Sequence, residues 1–200
     1  MESFRPFFLF LHKFIDLSES EFNEVIAPYL ELRQFRKRQV ILKIGEVENY
    51  ENFVLRGLVR KYYKSGRTEV ITQLATEGHL INALESFHSR APSEFCLEAI
   101  EPTNLISITY ENLEKVYSTS AKMERLGRLI TTFSTVVKDR WHINMIRMTP
   151  RERFIDFVNK NPELLQRVPQ KYLASYLNIQ PETFSRFKHL LKEKRHNGAT

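Results

Sequence analysis

The chain has 200 residues, 42% of them hydrophobic and 27% charged, with a formal net charge of +6, a globular balance with room for one large or two small domains, of which we read two. No apolar run approaches the roughly 20 residues of a membrane span, and the N-terminus lacks the basic, apolar, small-residue order of a secretory leader, so the expectation is a cytoplasmic protein with no membrane partner. The only cysteine, Cys96, excludes an intramolecular disulfide, a four-thiolate cluster and a thiolate-rich structural zinc site.

In chain order, FRPFFLFLHKF is aromatic-rich but short, and His12 and Lys13 interrupt it; it reads as a helix docked on the body. Ser18 followed by Glu21 is a capping box, and Phe22, Val25, Ile26, Tyr29 and Leu30 then recur at helical spacing. From Leu32 the period shifts towards two. Strands are predicted over 40–44, 52–55, 58–63, 70–74, 95–100 and 104–108, punctuated by Gly45, Gly57, Gly66 and Gly78. Short strands with regular turn signals favour an antiparallel roll or barrel over a parallel sheet. Cys96 alternates with Glu94 and Glu98 and reads as a small half-buried residue on that strand.

Residues 110–147 carry apolar side chains every three or four positions and predict one long helix. Leu126, Ile130, Phe133 and Val137 lie along its stripe, which packs either on the chain's own roll or on a second copy. Thr149-Pro150-Arg151-Glu152 caps a further helix with RFIDFV as its apolar face, so Met148 to Arg151 is a hinge; Asn161-Pro162 marks the next boundary. Over 168–191 the sequence VPQKYLASYLNIQPETFSRFKHLL gives a helix, a turn at Asn178-Ile179-Gln180 with Ile179 as its apolar plug, and a helix opening on Pro181. Phe184, Phe187, Leu190 and Leu191 share the inner face of that last helix; Gln180, Glu182, Thr183, Arg186 and His189 face outward.

That outward set suits the edges of base pairs: Arg can bond guanine O6 and N7, Glu can accept from cytosine N4, and Thr can reach a phosphate or a thymine methyl. Charge placement points the same way. Residues 1–145 hold 19 Lys and Arg against 19 Asp and Glu, whereas 146–200 hold 11 against 5, so the whole excess lies where counterion release from nucleic acid would reward it. No HExxH, Walker A, GxSxG or Rossmann glycine pattern occurs. We expect neither catalytic nor metal-binding residues, and His79 and His88 read as loop histidines.

The 168–191 segment resembles the helix-turn-helix of the Crp/Fnr (catabolite activator) transcription factors. Their recognition helix opens on a polar residue, Arg, Glu and Thr, with a second Arg after two further positions; Gln180, Glu182, Thr183 and Arg186 match, and Pro181 replaces the first Arg, so family operators do not carry over. The strands and glycines over 35–110, with FVLRGLVRKYY turning at Gly57, resemble the family's cyclic-nucleotide-binding β-roll. The resemblance implies an α+β chain: a β-roll sensor domain over 1–109, a long dimerisation helix over 110–147 seamed by Leu126, Ile130, Phe133 and Val137, and a helix-turn-helix domain over 148–200. It implies a homodimer on palindromic double-stranded DNA, with RNA polymerase as a further partner. The DNA contacts would be Gln180, Glu182, Thr183, Arg186, Lys188, His189 and Lys192. Many members continue into a β-hairpin wing; without one, Lys188, Lys192, Lys194 and Arg195 would supply the phosphate contacts.

The candidate effector pocket comprises Asn82, Ala83, Arg90, Ser93 and Glu94. Asn82-Ala83 stand where cyclic-nucleotide binders have Gly-Glu, and Ser93-Glu94 stand where they have Arg-Ser; Arg90, three positions early, is the candidate substitute for the phosphate-binding cation. A buried anion needs a cationic partner, so the expectation is no cofactor, no cyclic-nucleotide response and an effector of unknown identity. The competing reading is a small-molecule sensor or carrier that does not bind DNA specifically.

Overall fold

A computed structural model of the chain describes the backbone of residues 2–197 and the side chains of residues 2–189. Helix α1 (Arg5–His12) docks through Phe7, Phe8 and Leu11, as its aromatic pattern requires. The short helix α2 (Glu19–Glu21) is held by the capping box: Ser18 Oγ accepts from Glu21 N, and the Glu21 carboxylate accepts from Ser18 N at 3.0 Å. The chain continues through a π-helical turn, Phe22–Ile26, and a 3-10 turn, Ala27–Tyr29.

Eight strands follow: β1 (Glu31–Phe35), β2 (Val40–Leu42), β3 (Tyr50–Arg56), β4 (Val59–Ser65), β5 (Thr68–Ala75), β6 (Leu80–Ile81), β7 (Cys96–Ala99) and β8 (Thr103–Thr109), with helix α3 (Leu84–Ser89) between β6 and β7. They form two four-stranded sheets, ordered β1-β8-β3-β6 and β2-β7-β4-β5, with antiparallel pairing throughout. The period of two sorts β3 cleanly. Val54 joins Val59, Ala75, Leu97 and Leu105 between the sheets, whereas Phe53 joins Ile106, Ile108 and α1 on the far side of the first sheet. At the β3–β4 corner Gly57 has φ +106, and a Cβ there would lie 2.5 Å from Thr103 Oγ1 and 2.7 Å from the Pro102 carbonyl. Only glycine fits.

The helix expected over 110–147 is two helices, α4 (Tyr110–Ser118) and α5 (Ala121–Arg147). Ser120 is fully extended and caps α5 by accepting from Met123 N, which stops α4 and lets it fold back. Gly127 admits that fold-back, since a Cβ there would come within 2.6 Å of the Tyr117 ring. The first turns of α5 complete the helix-side core, where Met123 and Leu126 are 2% and 3% exposed. Leu126, which the family resemblance places in the dimer seam, is therefore covered by this chain's own roll, and Ile130 packs against the same core.

Four helices complete the chain: α6 (Pro150–Lys160), α7 (Leu164–Arg167), α8 (Gln170–Tyr176) and α9 (Pro181–Asn197). Thr149 and Glu152 form the expected capping box at the start of α6. Phe154, Phe157, Leu164, Leu173, Ala174 and Phe184 make the core of this unit, and Leu58 and Ile100, which flank β4 and β7 of the second sheet, join it. The order of layers is thus helices α1, α4 and α5, first sheet, second sheet, C-terminal helices.

Candidate functional site

Helices α8 and α9 form the helix-turn-helix. Leu173 and Ala174 bury the inner face of α8, Asn178 takes the left-handed conformation at φ +50, and Ile179 plugs the turn at 7% exposure with its N–H on the Ala174 carbonyl at 2.9 Å. One buried guanidinium holds the turn in place. Arg153 Nε donates to the Leu177 carbonyl and Nη2 to that of Asn178, both at 2.9 Å, while Nη1 donates to the carbonyls of Met145 and Met148 at 3.0 and 2.9 Å. A single side chain thereby joins the end of α5, the hinge and the turn before α9. The sequence reading passed over it, although an Arg inside the apolar face RFIDFV was the available signal.

On α9, Phe184 is fully buried, and Gln180, Glu182, Arg186 and His189 are exposed, with Thr183 and Lys188 half-buried. The side chains of Lys192, Lys194, Arg195, Leu190 and Leu191 lie outside the described residues. Among the described residues Arg186 forms no ion pair, so the face offers free donors and acceptors on a helix whose opposite side is anchored.

The helix-turn-helix unit is fixed to the second sheet by charge as well as by packing. Arg167 of α7 donates to both Glu77 oxygens at 3.0 and 2.8 Å, to Glu101 at 2.6 Å and to the Gly57 carbonyl at 3.1 Å. Arg60, 2% exposed, pairs with Glu69 at 2.6 Å and Glu98 at 2.9 Å, and its guanidinium lies 4.1 Å from the rings of both Tyr62 and Tyr172. Ser175 Oγ accepts from Ile71 N at 3.0 Å and donates to the Glu69 carbonyl at 3.1 Å. Trp141 of α5 stacks on Tyr176, with ring centroids 5.3 Å apart.

A cavity of about 200 Å³ lies between the first sheet, α1 and α5. Of the expected pocket residues only Asn82 lines it. Ala83 N donates to Glu48 at 3.3 Å, buried Ser93 closes its own turn against Phe95, and Glu94 is exposed. Arg90 is already engaged: it donates to the carbonyls of Glu48 and Phe87 at 2.7 and 3.0 Å and to Asn49 Oδ1, with its guanidinium 4.6 Å from the Tyr110 ring. It braces α3 against the loop before β3 and does not face the cavity.

Four polar residues at this site were missed. Glu51, Gln73 and Lys138 line the cavity, and Lys61 stands behind Asn82, donating to its carbonyl at 3.2 Å. Glu51 accepts from the Asn82 amide at 2.7 Å; burial, then the neighbouring Glu48, pushes its enclosed carboxyl up to about 8. Burial, then Lys138, brings the Lys61 ammonium down to about 8, and burial also raises Glu48. Period-two spacing identified these strands but not which face of β3 meets the helices. Among the described residues no cluster of His, Cys, Asp and Glu could hold a metal ion, and no helix is long and apolar enough to cross a membrane.

This order of β-roll, long helix and helix-turn-helix is the fold of the Crp/Fnr-type DNA-binding regulators. FixK2 of Bradyrhizobium japonicum is similar at a TM-score of 0.71 and 21% identity over 82% of this chain and 85% of that one. The c-di-GMP-responsive global regulator CLP of Xanthomonas campestris gives 0.66 and 16% over 90% and 93%, and the catabolite activator protein of Thermus thermophilus 0.57 and 18% over 92% and 87%. No family model matches the sequence, and no curated protein matches it. The likeness is one of fold.

Proposed function

We propose that the chain is a non-catalytic transcriptional regulator that binds palindromic duplex DNA as a homodimer and does not respond to cyclic AMP. The observation that carries this reading is the α9 face: Gln180, Glu182, Arg186 and His189 project from a helix whose inner side is packed and whose leading turn is clasped by Arg153. The dimer is supported by the second half of α5, where Phe133, Val136, Val137 and Ile143 fall within one side of the helix and are 51%, 42%, 48% and 39% exposed, an apolar stripe of the kind that marks an interaction surface. Two-fold symmetry would set two reading helices about one DNA turn apart. Thr183, Lys188 and Lys192 complete the proposed DNA contacts, with RNA polymerase as the further partner.

Selection of bound fragments from random duplex DNA should return inverted repeats, and binding should weaken steeply with salt, by about 0.9 in log-log slope for each phosphate neutralised. Arg186→Ala should cost about 1 to 3 kcal/mol and relax one base preference, whereas Lys188→Ala should weaken all sequences alike. Salt-insensitive binding, or equal sequence-blind losses from both variants, would remove the base-reading role of α9. Calorimetry with cyclic AMP should show no binding, because the one candidate cation for its phosphate, Arg90, is held by three other acceptors.

A further inference from the structure

Lys61 is 8% exposed, yet its ammonium has a single hydrogen-bond partner, the Asn82 carbonyl at 3.2 Å, and a ring contact with Phe95 at 5.3 Å. The acids nearest in the fold are committed elsewhere: Glu48 accepts from the backbone N–H groups of Tyr50 and Ala83 at 3.1 and 3.3 Å, and Glu51 accepts from the Asn82 side chain. Lys138 reaches the same end of the cavity from α5. Among the described residues neither lysine has a carboxylate in ion-pair contact. A buried ammonium is unfavourable unless negative charge offsets it; Lys61, behind Asn82, acts on the cavity through its field, whereas Lys138 lines the cavity directly.

We propose that the cavity between α1, the first sheet and α5 binds a small organic monocarboxylate, its apolar body against Phe7, Phe10 and Phe133 and its carboxylate at the end formed by Glu51, Asn82 and Lys138, in the field of Lys61. The size limits the body. An apolar cavity of about 150 Å³ holds one benzene ring, so about 200 Å³ takes one ring or a short acyl chain with its head group. The sign of the charge follows from the protonation states. At pH 7 burial keeps the Glu51 carboxyl protonated and able to donate, while Lys61 still carries its proton; a buried carboxylic acid of this kind can hydrogen-bond an anion. On the regulator reading, a ligand touching Phe133 and Lys138 would couple the roll to the proposed dimer helix.

Calorimetry on the full chain without DNA tests the site, so it succeeds or fails independently of DNA binding. Phenylacetate and octanoate are the probes, and phenylacetamide and phenethylamine are the uncharged and cationic controls. The carboxylates should bind; the controls should not. Lys138→Gln, at an exposed position, should weaken binding about tenfold with the fold unchanged, and Lys61→Gln, which removes only a field from behind Asn82, should weaken it less, with circular dichroism checking that it folds. Glu48, Lys61, Lys138 and Tyr117 act electrostatically on Glu51, and His79 and His88 line the same cavity. Affinity should fall as pH rises through about 8, and Glu51→Gln should reduce that fall. No carboxylate binding at millimolar concentration, equal binding of the amide, or preference for the amine would overturn the proposal.

Discussion

Arg153 shows how much of the reader depends on one side chain. Its residue is 8% exposed, and its fixed fork of N–H donors meets four backbone carbonyls that no helix or sheet ladder satisfies. Hydrogen bonds to a charged group are worth more than neutral ones, and leaving the acceptors buried and unpaired adds a desolvation cost. Arg153→Met should therefore destabilise the chain by about 3 kcal/mol, measured by urea unfolding. Arg153→Lys should recover less than half of that, because a single ammonium cannot span the carbonyls of Met145, Met148, Leu177 and Asn178. Full recovery by Lys would mean that charge rather than geometry holds the turn. The acid Glu21 offers a contrast, since its exposed pair with Lys122 at 2.5 Å tethers α2 to the start of α5 at the surface.

At the scale of elements, α5 changes character along its length. Met123 and Leu126 are core, whereas Val137 and Ile146 are 48% and 71% exposed. Val137→Glu should leave monomer stability within about 0.5 kcal/mol, as exposed substitutions do, and should convert the proposed dimer to monomers in sedimentation at micromolar concentration. Leu126→Glu should instead unfold the roll. A wild-type chain that sediments as a monomer would end the dimer reading. Sequence periodicity found the stripe but could not say what covers it, because a residue packed on its own roll and one packed on a second copy share the same spacing. The break before α5 was nearer to view: Ser118-Thr119-Ser120 is a run of cap-forming residues, and Gly127 marks the close approach that follows. The strands and the helix-turn-helix followed from their periods and caps. Strand β1 did not, because ELRQF has only two apolar residues to set a period; strand β6 and helix α3 did not, being only two and six residues long, and the cavity did not because its polar end is assembled from four separate elements.

Across the whole molecule, the reader docks on the second sheet on the side opposite the cavity. Arg167 is the centre of that contact, joining Glu77, Glu101 and the carbonyl of the strained Gly57 corner, whose own N–H donates to Glu77 at 2.8 Å. Burial raises the Glu77 carboxyl, but Arg167 and the Gly57 amide outweigh it and hold the group down at about 2. A carboxylate depressed in the folded state stabilises the docked arrangement above its ordinary pKa of about 4.3 and loses that contribution as pH falls towards 2. Glu77 and Arg167 side chains are 42% and 26% exposed, so solvent screening limits the pair to about 1 kcal/mol. Arg167→Ala at pH 7 should therefore loosen docking as acid does, seen as faster proteolysis at the Met148–Arg151 hinge in both cases. It should leave the core around Phe154 and Phe184 folded and the base preference proposed for Arg186 intact, and change overall DNA affinity only through the freedom given to the helix-turn-helix unit. Loss of base preference in this variant would mean that docking on the roll shapes the reading surface itself; an unchanged cleavage rate would mean that Arg60, Tyr172 and Ser175 hold the two units together without it.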